Sequence, residues 1–488
     1  MTLHENIVFI PKENINNDNN RKKKSSSSLL ILYLSAFTAD LLIIPIGSFM
    51  VWPSTVIPKL MSNNTNINPL GRPITSLETS IIVSLPYFST ILGLVIASKP
   101  SDIIGRRKTL LYFAIIMWIS IIAIAFSNNM YMYYVSFFVY GITNACLGLL
   151  VVIYNVEIAG DKHRALLSSI STLGLPIGQL FGFVFGAMID SIKIFTVIIS
   201  VPILIHFLLY SFMVESPVYL IHKNKKNLAI NVLKKLRSYY DVVDIENEYE
   251  VINESVETNK ERSIKLIDCF KSFTTKKALL LSFLMICTRE MTGNKVVLAY
   301  TGLIFNEAGT IFSGNEVGII IGFVNVAVIF LLILLINRFG RRTFLLTSSL
   351  FCSISTMGIG FYFFLKEINS PLVYSIRWLP IISVIIFIVC YAIGLGGVLP
   401  GYLAELFSNE SRITASSAAL ILGALFSSSL DFGFPLITES FGVSFSFLVY
   451  SVSTFIGFVL LYFCLPETRG KTLKEIQVIL QGSYFHFS

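Results

Sequence analysis

Charged residues are scarce in this chain of 488 residues, since Asp, Glu, Lys and Arg together make up 14% of it. An average soluble domain contains about 25% charged residues. Apolar residues make up 54% of the chain instead, and phenylalanine alone occurs 40 times. The low charge excludes an ordinary soluble domain, and the long apolar runs predict an integral membrane protein built of helical spans.

Patterns that carry chemistry or bind metals are also missing. The six cysteines are scattered, without a CxxC or another metal-ligand spacing, so we expect them to be packing residues. The sequence has no catalytic-triad spacing and no phosphate-binding loop between a strand and a helix. These absences predict a protein that is not an enzyme and that has no catalytic residue, cofactor or metal site.

The positive charge of the chain follows the loops between its apolar runs. The formal net charge is +8, which could indicate binding to nucleic acid, but the basic residues are concentrated in every second loop. That distribution is the one by which the positive-inside rule orients membrane proteins. We therefore expect the lipid bilayer rather than nucleic acid as the partner, with the basic loops and both termini in the cytoplasm.

Apolar windows of about 20 residues, the length that crosses a bilayer, predict the number of transmembrane helices. The expected fold class is an all-α membrane protein with twelve such helices. No secretory signal is recognised before the first of them, which is expected to be a signal anchor. The predicted spans are residues 29–51, 79–99, 109–127, 130–153, 168–189, 193–213, 278–305, 316–337, 343–365, 376–400, 413–436 and 440–465.

Charged signatures occur twice, once in each half of the chain. Residues 102–111 read DIIGRRKTLL, and residues 337–346 read NRFGRRTFLL. A glutamate seven residues before an arginine also occurs in each half. One duplication explains both repeats, so we expect two pseudo-symmetric six-helix halves. The repeated glutamates and arginines are Glu157, Arg164, Glu405 and Arg412.

The chain is expected to divide into five segments. The polar N-terminal tail is predicted to be disordered and cytoplasmic. In the long loop between the halves, apolar residues have helical spacing, which predicts amphipathic helices. The loop after the first span contains Asn63 in an Asn-x-Thr motif, which predicts glycosylation on the outer side. The segments are the tail at 1–28, the first half at 29–213, the linker at 214–277, the second half at 278–465 and a cytoplasmic C-terminal tail at 466–488.

These signatures resemble those of the sugar porters of the major facilitator superfamily. Residues 214–220 are similar to the family's PESPRYL motif, and residues 466–476 are similar to its PETKG(K)(S/T)LEEI ending. The resemblance covers about residues 40–478, and the loop at 68–75 is most similar to insect trehalose-transporter-like members. It implies the major facilitator fold and a plasma-membrane carrier that works as a monomer on a sugar.

In that family the charged clusters close the cytoplasmic face when the carrier opens outward. Ion pairs suit this role at a membrane interface, because water is scarce enough there to strengthen them and present enough to replace them. The alternative is that they only set topology and contact phospholipid. Asn337 stands where the second copy would have an acid, so the latch is expected to be weaker there. The resemblance implies a cytoplasmic gate of Asp102, Arg106, Arg107, Glu157, Arg164, Glu215, Arg341, Arg342, Glu405, Arg412 and Glu467.

The seventh predicted span departs from the family. Residues 289–295 read REMTGNK where members resemble QQLSGIN, which puts Arg289, Glu290 and Lys295 on amide positions. Apolar residues flank these charges on both sides, so the charges lie near mid-membrane, where each costs about 2.5–3.5 kcal/mol. Such a cost is tolerated when the charges are paired or line a wet cavity. The cluster is either a self-neutralising group that packs the interior or a rebuilt solute site.

Other positions that the resemblance assigns to the solute path also differ. The fifth-span glutamine is expected at Thr172 and an eleventh-span amide near Ser427, whereas Asn325 keeps the eighth-span amide. The acid and arginine of proton-coupled relatives fall on Pro53 and Phe137, so proton symport by that pair is not expected. The tenth span is expected to bend at Gly394, Gly396, Gly397 and Pro400.

The sequence therefore predicts a facilitative solute carrier that works by alternating access, with trehalose or a hexose as the default solute. The altered seventh span leaves a second possibility, a charged or zwitterionic solute whose anionic group meets Arg289 and Lys295. A third is a transport-poor sugar sensor that signals through its tails. The predicted solute-binding residues are Thr172, Arg289, Glu290, Lys295, Asn325 and Ser427.

Overall fold

In a computed structural model, every regular element in the described part of the chain is a helix, so the all-α prediction is confirmed. The structure describes residues 28–237, 242–261, 273–335, 340–407, 412–467, 471 and 473–481. The predicted N-terminal tail, apart from its last residue, lies outside this part, and so does Asn337.

The helices before the linker begin and end at local signals. Thr75 and Glu78 form a reciprocal capping box at the start of one helix, and the Asn129 side chain accepts a bond from the Tyr131 N–H at the start of another. A turn at Leu41 and Leu42 interrupts the first span. The helices are α1 (28–40), α2 (Ile43–Leu60), α3 (Ser76–Ile96), α4 (Ser98–Ile104), α5 (Arg106–Ala125), α6 (Met130–Ile158), α7 (Asp161–Met188), α8 (Ile192–Ile199) and α9 (Val201–Leu209).

The segment that follows holds three helices, which pack against the first half. They are α10 (Pro217–His222), α11 (Lys226–Leu236) and α12 (Val242–Glu261). The buried guanidinium of Arg237 donates to the carbonyl oxygen of Ile158 at 3.1 Å and lies 3.3 Å from a carboxylate oxygen of Glu248. Arg237 therefore satisfies the C-terminal end of α6 and joins it to α12.

The remaining helices form the second half. A single π-helical turn at Ala392–Gly396 separates α18 from α19. The helices are α13 (Phe273–Met291), α14 (Asn294–Ala308), α15 (Gly314–Leu335), α16 (Arg341–Glu367), α17 (Leu372–Ser375), α18 (Leu379–Tyr391), α19 (Leu399–Leu406), α20 (Arg412–Cys464) and α21 (Leu473–Gln481).

Ten helical segments in the described part are long and apolar enough to cross a membrane. One of these, Ser417–Cys464, is divided by non-helical backbone at Gly442. The seventh predicted span is split into α13 and α14 and is not among the ten. The predicted number of twelve agrees with these helices if the split span counts as one crossing and the divided helix counts as two.

Several helices extend beyond the apolar windows that predicted them. The fourth span was expected at 130–153, but α6 continues to Ile158, and α7 begins at Asp161 instead of residue 168. The added turns carry charged residues such as Glu157 and Arg164. Hydropathy marks only the hydrocarbon core, whereas a helix continues into the polar interface on either side.

Two glycines with positive φ interrupt spans. Gly293, at φ +75°, lies between α13 and α14, beside the ring of Tyr450. Gly442, at φ +88°, divides α20, and a Cβ built on it would lie 2.6 Å from a carboxylate oxygen of Glu367. That carboxylate accepts a bond from the Ser444 N–H at 3.2 Å, so it caps the second part of α20. Only glycine adopts this backbone without strain and leaves room for the cap.

Substituting Gly442→Ala is expected to destabilise the protein. A backbone with φ +88° and ψ +165° costs a residue with a Cβ about 1–3 kcal/mol, and the methyl group would also displace Glu367. The apparent melting temperature of the purified protein in detergent measures the loss. Gly309→Ala is the control, since Gly309 has φ +66° but no atom within 4 Å of a built Cβ. A Gly442→Ala protein that melts no lower than the control would contradict the contact with Glu367.

The two halves meet through small residues. The N–H of Gly302 on α14 donates to the hydroxyl of Ser54 on α2 at 2.9 Å, and a Cβ on Gly302 would lie 2.1 Å from the Ser54 carbonyl oxygen. On α15, Gly318 and Gly322 pack against Phe183 and Leu180 of α7. Small residues allow helices in a membrane to approach this closely. The Ser54–Gly302 contact lies toward the end of the bundle opposite the Gly-Arg-Arg turns.

Candidate functional site

A helix break brings the three charges of the seventh span together. Arg289 and Glu290 lie in the last turn of α13, and Lys295 lies in the first turn of α14, after Gly293. The Lys295 Nζ is 2.8 Å from the Glu290 Oε2, and the Arg289 Nε is 3.9 Å from the Glu290 Oε1. The Glu290 side chain is 11% exposed. Each cation is thus paired with the same buried carboxylate, as a charge inside a membrane requires.

The cluster continues onto α20. The Lys295 ammonium donates to the hydroxyl of Ser427, and this hydroxyl contacts the Oδ2 of Asp431 at 3.2 Å. Asp431 is 3% exposed. The sequence interpretation missed it, although an isolated acid four residues after Ser427 within an apolar run was a usable signal. With Asp431 included, the ionic cluster of Arg289, Glu290, Lys295, Ser427 and Asp431 has two acids and two bases, so its formal charge is zero.

A tyrosine contacts each of the two cations. The Nε of Arg289 donates to the hydroxyl of Tyr391 at 3.1 Å. The Nζ of Lys295 lies 4.5 Å from the centre of the Tyr87 ring on α3. Because Tyr87 belongs to the first half, Lys295 contacts both halves. Neither tyrosine was predicted, since each is far from the seventh span in sequence.

An amide pair also joins the two halves. The Nδ2 of Asn325 on α15 donates to the Oε1 of Gln179 on α7 at 2.6 Å, and Gln179 is buried. The solute-binding residue predicted on α7, Thr172, is exposed, and its hydroxyl donates to the Ser168 carbonyl of its own helix. The structure therefore places Gln179, and not Thr172, beside Asn325. The glutamine in the segment Gly178–Gln179 was the signal that the sequence interpretation overlooked.

The predicted hinge coincides with irregular backbone. Gly394 and Gly396 lie in the π-helical turn, and Pro400 lies in the first turn of α19. A Cβ on Gly394 would lie 2.3 Å from that of Ser348, and one on Gly397 would lie 2.2 Å from a methyl carbon of Leu332. Wide π turns are frequent at functional sites. The glycines also allow the π turn to pack closely on α15 and α16.

The charged signature of the first half forms a connected network. Arg106 contacts Asp102 at 2.9 Å and Glu157 at 3.0 Å. The Ser216 hydroxyl donates to the same Glu157 carboxylate. The Glu215 carboxylate accepts a bond from the Arg107 N–H at 3.1 Å, beside Gly105 at φ +100°. Glu157 thus pairs with Arg106, whereas Arg164, its partner in the sequence repeat, is an exposed residue.

The second copy is described in part. A guanidinium nitrogen of Arg342 donates to the Tyr462 carbonyl at 2.9 Å, and the Glu467 carboxylate lies against Gly340 at the start of α16. Arg341 belongs to the same turn. The side chains of Glu405 and Arg412 lie outside the described residues, together with Asn337. The contacts of the first copy join its Gly-Arg-Arg turn to Glu157 at the end of α6 and to Glu215 before α10. Those of the second copy join the start of α16 to the end of α20 and to Glu467.

Substituting Glu157→Gln is expected to destabilise the first half. The change removes the charge that Arg106 and the Ser216 hydroxyl contact, and hydrogen bonds to charged groups contribute about 1.5–3 kcal/mol. A lower melting temperature in detergent and a lower uptake rate per surface molecule are expected. Asp102→Asn is the control, because the Asp102 side chain is 54% exposed and such pairs contribute about 1 kcal/mol or less. Equal effects of the two substitutions would argue against a special role for Glu157.

Comparisons with known proteins agree with this architecture. A family model described as sugar (and other) transporter matches residues 13–480. The probable metabolite transport protein CsbC of Bacillus subtilis is 25% identical over 416 residues, which is 84% of this chain and 88% of that protein. A facilitated trehalose transporter Tret1 of Bombyx mori is 27% identical over 83% of this chain and 80% of its own length. Against Tret1 of Drosophila virilis the chain spans about half of that protein, 49%.

Solved structures give the same fold. The xylose transporter XylE from E. coli in an inward-open conformation superposes with a TM-score of 0.77 at 18% identity, covering 92% of this chain and 99% of that one. A partially occluded inward-open form gives a TM-score of 0.75 at 18% identity, over 90% and 99% of the two chains. The predicted major facilitator fold is therefore confirmed.

Proposed function

We propose that this chain, which belongs to the family of sugar (and other) transporters, carries a sugar across the membrane by facilitated diffusion. Trehalose and the hexoses are the first candidates for the solute. The observation that carries the proposal is the ionic cluster, which places hydrogen-bonding groups of both signs inside the helical bundle. A transporter needs such a polar site near mid-membrane, at helices whose regular structure is interrupted.

The ionic cluster suits a solute that has many hydroxyl groups and no net charge. The carboxylates of Glu290 and Asp431 can accept hydroxyl hydrogens, and the ammonium of Lys295 can donate to hydroxyl oxygens. Tyr87 and Tyr391 add aromatic surface against which a sugar ring can pack. A neutral solute also leaves the charge balance of the cluster unchanged, so no buried charge is left unpaired. The amide pair of Gln179 and Asn325 is a further proposed contact.

Alternating access would move the two halves as rigid bodies around this site. The contact between Ser54 and Gly302 would close one end, and the gate residues near Arg106 and Glu157 would close the other. The π turn at Ala392–Gly396 would absorb bending of the tenth span. The gate stays a prediction, and the predicted division into five segments does too.

Orientation in the plasma membrane is part of the proposal. The basic turns at Arg106 and Arg341 would face the cytoplasm with both termini, as the positive-inside rule expects. Asn63, which is exposed in the loop after α2, would then be glycosylated outside the cell. Loss of a glycosidase-sensitive mobility shift in Asn63→Gln would support this orientation, and a shift that survives the substitution would contradict it.

Uptake into oocytes tests the function. Radiolabelled trehalose, glucose and fructose are offered to oocytes whose surface protein is measured by biotinylation, and water-injected oocytes are the control. Saturable uptake that stops at equal inner and outer concentrations is expected for facilitated diffusion. Accumulation above the external concentration would contradict it.

A zwitterionic solute is the second candidate, because the ionic cluster contains both signs of charge. Amino acids and organic anions are therefore included in the uptake panel. Uptake of an amino acid without any sugar uptake would favour this candidate. Surface protein that binds a sugar in detergent but transports none of the solutes would favour the sensor, and would reject the carrier.

A further inference from the structure

A cavity lies at the end of the bundle opposite Arg106. Its volume is about 540 Å³, which is within the range of about 300–1,000 Å³ that small-molecule sites have. Residues of both halves line it, from α2 and α3 on one side and from α14, α16 and α20 on the other. The lining residues are Met61, Ser76, Thr79, Tyr300, Leu303, Ile304, Glu307, Glu367, Phe434, Pro435, Thr438, Glu439, Gly442 and Val443.

The cavity is acidic. Three of its lining residues are glutamates, and none of the residues that line it in the described part of the chain is basic. Glu367 already caps the second part of α20 through Ser444. Glu307 and Glu439 are exposed, and the structure gives no ion pair for either among the residues that it describes. The ammonium of Lys366 donates to the carbonyl oxygen of Glu307.

Aromatic residues separate this cavity from the ionic cluster. Tyr300 is 2% exposed, and its hydroxyl has no hydrogen-bond partner in the described structure. Its ring centre lies 5.0 Å from that of Phe434. Tyr300 follows Lys295 by five residues on α14, and Phe434 follows Asp431 by three on α20. The inner wall of the cavity therefore lies next to the ionic cluster. This wall contains a buried hydroxyl without a hydrogen-bond partner, and a ligand could supply that partner.

We propose that this acidic cavity is an entry site that selects solutes by charge. It would bind a hydroxylated solute that has an ammonium group more tightly than a neutral one, and it would repel a solute that has a carboxylate. The glutamates attract the ammonium group, and the rings of Tyr300 and Phe434 contact it through their faces. This inference rests on the proposed function and narrows the solute class.

The ionic cluster also disfavours an anionic solute. An anionic solute would need a free cation near mid-membrane. Both cations there are engaged, since Arg289 and Lys295 share Glu290, and Lys295 also contacts Ser427. A carboxylate on the solute would thus meet repulsion at the cavity and find no unpaired cation beyond it.

Three hexoses of similar size test the inference, because they differ mainly in charge: glucosamine is cationic, glucose is neutral and glucuronate is anionic. Each is used at low ionic strength to inhibit uptake of the radiolabelled sugar that the oocytes take up. Glucosamine is expected to inhibit more strongly than glucose by about fivefold, which corresponds to one exposed ion pair. Glucuronate is expected to inhibit least.

The double substitution Glu307→Gln with Glu439→Gln removes the charge and keeps the size of both side chains. It is expected to bring the three inhibition constants within about twofold of one another, while uptake of the neutral sugar stays unchanged. Glu316→Gln is the control, since Glu316 is an acid near the start of α15 that does not line the cavity. It is expected to leave the discrimination intact.

The outcomes separate the two proposals. Sugar uptake with equal inhibition by glucosamine, glucose and glucuronate would overturn the charge-selective cavity and leave the carrier function standing. Discrimination that persists in the double variant would overturn the assignment to Glu307 and Glu439. Absence of uptake for every solute tested would reject the proposed function itself, and the inference with it.

Discussion

Substituting Glu290→Ala is expected to abolish uptake and to lower the amount of folded protein at the cell surface. The change leaves Arg289 and Lys295 inside the bundle without the carboxylate that both of them contact. Breaking a buried ion pair by removing one partner costs about 3–5 kcal/mol. That is a large part of the stability of an ordinary domain, about 5–15 kcal/mol.

A second variant separates the two interpretations of the ionic cluster. The double substitution Glu290→Ala with Lys295→Ala removes one charge of each sign, so the remaining Arg289 and Asp431 keep the cluster neutral. Surface protein, measured by biotinylation, is expected to recover relative to Glu290→Ala, because no net charge is left over. Uptake per surface molecule is expected to stay at least tenfold below the wild type if these side chains contact the solute.

The opposite pattern would identify the cluster as packing. Uptake that returns together with surface protein in the double variant would mean that Glu290 and Lys295 only neutralise each other. Normal saturable uptake by Glu290→Ala itself would show that Glu290 is needed neither for solute binding nor for the stability of the protein.

Substituting Gly302→Ala is expected to slow transport strongly by preventing the two halves from meeting. A Cβ at this position would lie 2.1 Å from the carbonyl oxygen of Ser54. This oxygen belongs to the backbone of α2, so no side-chain rotation can move it away. Helices α2 and α14 would have to separate, and the hydrogen bond from the Gly302 N–H to the Ser54 hydroxyl would be lost. Overpacking of this kind costs about 1–3 kcal/mol. It destabilises the conformation in which α2 and α14 are in contact and this end of the bundle is closed.

The uptake rate per surface molecule measures the effect, and labelling of an introduced thiol shows its origin. Thr79→Cys places a thiol in the lining of the acidic cavity. A membrane-impermeant maleimide is expected to label it faster when Gly302→Ala is also present. Gly401→Ala is the control, because nothing lies within 4 Å of a Cβ built on Gly401. Wild-type uptake and labelling in Gly302→Ala would contradict the close approach.

The charged residues of the seventh span show how far sequence reasoning extends toward a site. Arg289, Glu290 and Lys295 could be singled out because charge within an apolar run is rare and costly. Their pairing was one of the expectations, and the break at Gly293 explains how residues five apart meet across two helices. Asp431 and Tyr87 could not be assigned to them, because contacts between distant helices depend on how the helices pack, and packing leaves no local signal.

Gln179 is a contact residue that the sequence did not single out. The amide pair with Asn325 depends on α7 and α15 facing each other across the two halves. The resemblance assigned the fifth-span glutamine to Thr172, two helical turns earlier, where the side chain is exposed. A shift of about seven residues preserves the helix face, so the apolar pattern does not distinguish the two positions, and Thr172 stays a prediction.

The sequence by itself determined the all-α membrane class, the duplicated signatures and the charged positions of the seventh span, since each depends on composition or on spacing along one helix. The tertiary structure alone decided that Ser427 and Asp431 join the ionic cluster, which helices meet at Gly302 and where the acidic cavity opens. These features join residues more than a hundred positions apart, such as Lys295 with Ser427 and Ser54 with Gly302. Their relative positions follow from close packing of the helices, which individual spans do not encode.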